Sequence, residues 1–204
     1  MPLCKNINSF SYICINLDYN SDKDIKNYIK DKSIKSFSIL VDSKNDVSEH
    51  KRKFLKLMKG NKYILRLGVQ GLYFDTECIK KISQKKIVQS LGIGKNFGLK
   101  FDDDFYLALN KCSSLIKLDL IGFSNTDQLS LLSEHPALEI FNTSYTNVTY
   151  DQAMSFLDMP KLEKLSISMR DLTAEQEQNL KQKANSHKSG EVKLDLDKTY
   201  SVTK

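Results

Sequence analysis

A chain of 204 residues with 40% hydrophobic and 27% charged side chains is long enough for a domain with a sizeable core, and too apolar for disorder throughout. Its apolar runs are only a few residues long, which excludes a membrane-spanning helix of roughly 18–20 residues. The net charge of +6 is unevenly spread: residues 1–100 carry 20 Lys/Arg against 9 Asp/Glu, and residues 101–204 carry 11 against 16.

Residues 1–9 read as a lead-in. The first 17 residues hold one Lys and then a polar, interrupted stretch rather than the apolar centre of a signal peptide, so the expected place of work is the cytoplasm. Phe10, Ile13 and Ile15 begin a strand, and Ser21 with Asp24 opens a helix carrying Ile25, Tyr28 and Ile29 on one face. A second strand holds Ile34, Phe37 and Ile39. It leads to a helix capped by Asp46 with Glu49, with Phe54, Leu55 and Met58 inward and Lys51, Arg52, Lys53, Lys56 and Lys59 on the solvated side. Ile64, Leu67 and Val69 form the third strand, and Asp75 opens a helix with Cys78, Ile79 and Ile82 inward.

The fourth unit runs through Val88, Leu91 and Ile93, then through a longer loop to Asp102, Asp103 and Asp104 before Phe105, Leu107 and Leu109. Three carboxylates at a helix start are explained by the exposed amides there rather than by a metal. The fifth unit has Leu115, Leu118 and Leu120, then Asn125 and Gln128 as cap and partner before Leu129, Leu131 and Leu132. The sixth has Leu138, Phe141 and Thr143, then Thr149 and Gln152 before Ala153, Phe156 and Leu157. The seventh has Leu162, Leu165 and Ile167, then Thr173 and Gln176 before a polar helix with only Leu180 and Ala184 as core candidates. A degraded eighth copy is assigned to Ser189, Val192 and Leu194, with a closing strand over Lys193–Asp197 and a tail over residues 198–204.

Every unit therefore repeats the spacing L-x-x-L-x-L at intervals of 23 to 30 residues, followed in most by a capped helix. A strand and helix of this size cannot bury their own apolar side, whereas stacked neighbours can. On these residues the chain resembles a leucine-rich repeat protein over about residues 10–197, closest to the ribonuclease-inhibitor-like or cysteine-containing classes. The resemblance implies an α/β solenoid of seven to eight strand–helix units, horseshoe-shaped, with a parallel sheet on the concave face and helices on the convex one. The family expects Asn or Cys nine positions into each unit. Asn96 fits, Asp18, Asp42 and Asp197 are polar substitutes, and Leu72, Phe123, Thr146 and Arg170 depart from it. The Lys-, Asn- and Ile-rich wording also resembles leucine-rich-repeat effectors that intracellular bacteria inject into host cells. That resemblance implies a host protein as partner and a non-classical route of secretion.

Catalytic and metal signatures are missing from the sequence. His50, His135 and His187 stand at no ligand or relay spacing. Cys4, Cys14, Cys78 and Cys112 form no C-x-x-C, and nucleophile-elbow, zincin and P-loop patterns do not occur. Gly92, Gly94 and Gly98 around Lys95 only superficially match a phosphate loop. The expectation is a non-enzymatic, cofactor-free module that binds a protein. Its contact residues are those alternating with the buried ones, led by Tyr12, Arg66, Gln70, Lys117, Asp119, Asn142, Tyr145 and Lys164. The alternative is nucleic acid or an anionic surface gripped by the basic first half, for which no aromatic platform or recognition motif is present.

Overall fold

The apolar triplets become parallel strands. A computed structural model of the protein describes residues 11–41, 46–71, 74–94, 101–123, 127–169 and 171–197. The lead-in, the tail, and the assignments to Cys4, Phe10, Asp42, Leu72, Asn96, Asn125 and Arg170 lie outside these residues. Strands and helices alternate: β1 (Ser11–Asn16), α1 (Asp22–Lys30), β2 (Ile34–Leu40), α2 (Val47–Gly60), β3 (Arg66–Gln70), α3 (Thr76–Ser83), β4 (Ser90–Gly94) and α4 (Asp103–Asn110). The second half continues with β5 (Lys117–Ile121), a 3₁₀ helix (Leu129–Glu134), β6 (Ile140–Asn147), α5 (Tyr150–Phe156), β7 (Lys164–Ser168), α6 (Ala174–Asn185) and β8 (Lys193–Asp197). All eight strands pair in parallel, in chain order, in one open sheet. The fold is an α/β solenoid of the leucine-rich-repeat type.

The repeat spacing works because each leucine position has one destination. Ile34, Ile64, Val88, Leu115, Leu138 and Leu162 are buried where the chain turns into each strand. Phe37, Leu67, Leu91, Leu118, Phe141 and Leu165 stand in register across the sheet and form the next buried row. Phe54, Phe74, Phe105, Phe101 and Phe123 form a chain of ring contacts that links units two to five through the core. Helices are about 10 Å across and strands about 4.8 Å apart, so stacking the two layers puts the sheet on the inside of the curve.

Caps set where each α-helix starts. The side chains of Ser21, Thr149 and Thr173 accept the amide three residues on, while Asp24, Gln152 and Gln176 accept from the cap's own amide. Asp46, Asp75 and Asp102 accept the amides of Glu49, Cys78 and Phe105. Of the acidic trio, Asp102 is therefore the cap, and Asp103 and Asp104 fall in the first turn of α4.

Four expectations need correction. The fifth unit has a 3₁₀ helix rather than an α-helix, and Gln128 makes no side-chain capping bond to it. Leu107 is 44% exposed, and the core face of α4 is made by Phe105, Tyr106, Ala108 and Leu109. The eighth unit is phased two residues later than assigned: Leu194 pairs with Leu165 and Leu196 with Ile167, so Leu194 is the second apolar position and not the third. Thr146 is no mere departure. It lies buried, its hydroxyl donates to the Leu120 carbonyl (3.2 Å) and accepts from the Phe123 amide (3.1 Å), so it bridges the backbone of the preceding unit.

Candidate functional site

Because strand residues alternate, the positions between the buried ones all face away from the helices. The register arranges them in rows across the sheet. One row runs Tyr12, Ser36, Arg66, Ser90, Lys117, Ile140, Lys164, Lys193. The next runs Cys14, Ser38, Gly68, Gly92, Asp119, Asn142, Ser166, Asp195. Expected contact residues Arg66, Lys117 and Lys164 thus share a row on alternate strands, roughly 10 Å apart. Asp119 and Asn142 lie beside them in the second row.

The charges of the two rows are tied together. Lys117 Nζ lies 3.1 Å from Asp119 Oδ2, and Asn142 Nδ2 donates to Asp119 Oδ1 at 3.2 Å. Asn142 Oδ1 in turn accepts the amide and hydroxyl of Ser144 at 2.9 and 2.6 Å, which fixes its amide's orientation. Two strands on, Lys164 Nζ lies 2.9 Å from Asp195 Oδ2, which also accepts from Ser166 Oγ at 3.3 Å. The Lys164 ammonium holds the Asp195 carboxyl below the usual carboxylate range. Asp119 is only 19% exposed in its side chain, whereas Lys117 is 43% exposed, so a ligand would meet the ammonium first.

Between these charges the sheet has a floor of glycines. Ser36, Ser38, Arg66, Gly68, Ser90, Gly92 and Asp119 enclose a shallow hollow of about 230 Å³. A methyl group added at Gly92 would meet nothing nearer than Asp119 Cβ at 4.0 Å, and at Gly68 nothing nearer than Ser38 Oγ at 3.6 Å. The hollow is thus open space rather than packing that a side chain would disrupt.

Of the remaining expected residues, Gln70 lies in a third row beside Gly94, away from the charged pair. Tyr145 stands apart. The pairing of β6 with β7 jumps from Thr143–Ile167 to Asn147–Ser168, and Tyr145 sits in this bulge with φ of +60° and 55% exposure. Its amide donates to the buried Ser168 Oγ at 3.0 Å. A left-handed backbone costs a bulky residue on the order of 1–2 kcal/mol, and bulges re-aim side chains. Tyr12 belongs to β1, and its side chain lies outside the described residues. Lys193 and Asp195 were missed as face residues because the eighth unit was phased wrongly. The alternation Lys193, Leu194, Asp195, Leu196, Asp197 was the signal available.

The helical side offers different chemistry. Lys51 Nζ bridges Asp75 and Glu77 at 2.7 and 2.6 Å, and Arg52 bridges Asp22 and Glu49 at 2.9 and 2.6 Å. Lys56 reaches Asp22 at 3.0 Å, Lys53 donates to the Leu17 carbonyl at 2.9 Å, and Lys80 reaches Asp104 at 3.0 Å. Lys51, Arg52, Lys53 and Lys56 of the α2 stripe are thus linked to neighbouring groups, and these partners raise the Lys51 pKa and lower that of Asp22 to about 2. A hollow of about 400 Å³ lies between Leu157, Asp158, Lys183 and His187. Lys183 there is engaged by Asp158 and the Met154 carbonyl, and His187 by the Met159 carbonyl and Ser189. Among the described residues, no three His, Cys, Asp or Glu side chains are grouped as a metal would require, and no helix is long and apolar enough to cross a membrane. Cys78 and Cys112 are buried, and burial pushes both thiols up to about 12.

No protein-family model and no curated protein matches the chain. Among solved structures, the tropomodulin C-terminal domain from Caenorhabditis elegans is similar at 15% identity and a TM-score of 0.44, covering 62% of this chain and 82% of that one. The assignment of the fold rests on the chain's own repeats and strand register.

Proposed function

We propose that the protein is a non-enzymatic module that binds a protein partner on the face of the sheet, centred on β3 to β5. The observation that supports this most is the glycine-floored hollow flanked by Arg66 on one side and the Lys117–Asp119–Asn142 network on the other. A partner's backbone or side chain can descend onto Gly68 and Gly92. A partner carboxylate meets the forked donors of Arg66, and an amide or cation meets Asp119. Charges at the centre of such a contact lose their water and count for more than charges at its rim. Tyr145, exposed on a strained bulge, supplies an aromatic contact farther along the same sheet.

The reading as a grip for nucleic acid or an anionic surface loses support from the ion pairs of α2. Three cations of that helix's basic stripe, Lys51, Arg52 and Lys56, are already paired with carboxylates of α1 and of the α3 N-terminus. The resemblance to bacterial effectors extends the protein-binding reading to a partner in a host cell; its support is the residue wording alone.

The test is quantitative capture from host and native lysates in parallel, using the wild-type chain and four variants. Arg66→Glu, Asp119→Lys and Gly92→Leu alter the sheet face, while Lys26→Glu alters the exposed side of α1. The partner is expected among proteins kept by wild type and Lys26→Glu and lost by the three face variants. With that partner purified, Arg66→Glu and Asp119→Lys should each weaken binding at least about tenfold, roughly 1.4 kcal/mol, with the circular dichroism unchanged. Binding that survives all three face variants and fails with Lys26→Glu would move the site to the helical side.

A further inference from the structure

The end of the sheet at β8 leaves apolar side chains partly uncovered. Among the described residues β8 has a strand, β7, on one side only. Leu194 and Leu196 remain partly exposed, whereas Leu165 and Ile167 beside them in β7 are fully buried. A hollow of about 470 Å³, lined by Ala184, Val192 and Leu194 together with Lys181, Asn185, Glu191 and Lys193, opens at the same end. An open strand edge with uncovered leucines is the arrangement that invites another strand.

We propose that this edge pairs with the same edge of a second copy, with the two β8 strands running antiparallel about a twofold axis through Asp195. The hydrogen-bonding parity of β8 permits this register. The Lys193 amide donates to the Glu163 carbonyl at 2.8 Å, and the Asp197 carbonyl accepts the Met169 amide at 3.0 Å, so residues 193, 195 and 197 turn their backbone groups toward β7. Leu194 and Leu196 then present theirs to the open edge. Centring the axis on Asp195 sets Leu194 of each copy against Leu196 of the other, which makes about four backbone hydrogen bonds at once. Moving the axis to Leu194 would call on the Val192 amide, which is already donated to the Ala184 carbonyl at 3.0 Å.

Charge agrees with this register. Lys193 of one copy faces Asp197 of the other, twice by symmetry, as a cross-strand pair of opposite sign. Asp195 faces its own counterpart, but its carboxylate is engaged by Lys164 at 2.9 Å and by Ser166 at 3.3 Å. On the other side of the sheet, Leu194 and Leu196 pair across the junction and close the apolar layer that each copy leaves uncovered. Such an interface is isologous and closes at two copies.

Sedimentation velocity of the full chain over a wide concentration series tests it. The expected result is a monomer–dimer equilibrium that does not grow further. Lys193→Asp and Asp197→Lys should each weaken the dimer at least about tenfold. The two substitutions combined should restore it, because each cross-strand pair is then again of opposite sign, with the two charges exchanged. Leu196→Pro, which deletes an outward amide and spares the bonds to β7, should abolish it. Arg66→Glu, on the face proposed for the partner, should leave it unchanged, so failure here and failure of the binding face are distinct. A chain that stays monomeric at every concentration, a ladder of species beyond the dimer, or a folded double variant that does not recover association would each overturn the proposal.

Discussion

His135 shows how much one buried side chain can set. It follows the 3₁₀ helix, sits fully buried before Pro136, and its Nδ1 accepts the amides of Ala137 and Leu138 at 3.2 and 3.1 Å. An Nδ1 that accepts two amides carries no proton, so the ring is the neutral Nε2–H tautomer. Burial holds its pKa down to about 4, against a tendency of the Leu109 and Cys112 carbonyls to raise it. The unfolded chain, with an ordinary histidine near 6.5, binds this proton first as pH falls. The folded state therefore has the full benefit above about pH 6.5 and loses it progressively toward pH 4, on the order of 3 kcal/mol across the window. Denaturation midpoints measured from pH 7.5 to 4.5 should show this slope. His135→Asn, which keeps an acceptor for the two amides and does not titrate, should flatten it; an unchanged slope would assign the pH response to other groups. Asp22, held to about 2 by Arg52 and Lys56, contributes only at lower pH and does not confuse the reading.

At the scale of the element, the interest is in which face each segment turns inward. Leu118 is in the middle of β5 and fully buried between units, whereas Leu107 lies on α4 at 44% exposure although its spacing invited a core assignment. Leu118→Ala should cost about 2–5 kcal/mol, and Leu107→Ala within about 0.5 kcal/mol of nothing, compared by urea denaturation. Similar losses at both would contradict this packing. The strands were legible because two buried positions two residues apart, preceded by a third, leave little choice of face. Phe37, Leu67, Leu91, Leu118, Phe141 and Leu165 all fell where their spacing put them. Helix starts were legible from the reciprocal pairs Ser21 and Asp24, Thr149 and Gln152, Thr173 and Gln176. Helix faces were less so: a short helix such as α4 crowds Phe105, Tyr106, Leu107, Ala108 and Leu109 into one run, and which of them meet the sheet depends on its rotation against its neighbours. The eighth unit was misphased because Val192 is buried by the loop that returns from α6, where its amide bonds the Ala184 carbonyl, and not by a place in the strand pattern.

At the scale of the whole molecule, part of the first half's positive charge has a structural destination. Three cations of α2 span the gaps between consecutive helices, so that Lys51, Arg52 and Lys56 tie α1, α2 and α3 together. For such part-exposed pairs the stabilisation is small and screened by salt, but it leaves few cations of this stripe to exchange counterions with a polyanion. Mixed-sequence DNA or RNA should therefore bind no more tightly than about 10⁻⁶ M near 0.15 M salt, the range of non-specific association. Fluorescence anisotropy at several salt concentrations measures this, and sub-micromolar affinity at physiological salt would reinstate the anionic-ligand reading. The sequence by itself determined the repeat, the parallel strands and the residues they bury, because a period of two inside a longer period of 23 to 30 residues is a constraint each unit meets with its own residues. Only the tertiary structure decided which cations are spent on neighbouring helices, where Asp119 and Arg66 stand around the glycine hollow, and what the edge of β8 leaves uncovered. Each of those depends on residues from different units meeting across a register, and no single unit's spacing encodes that.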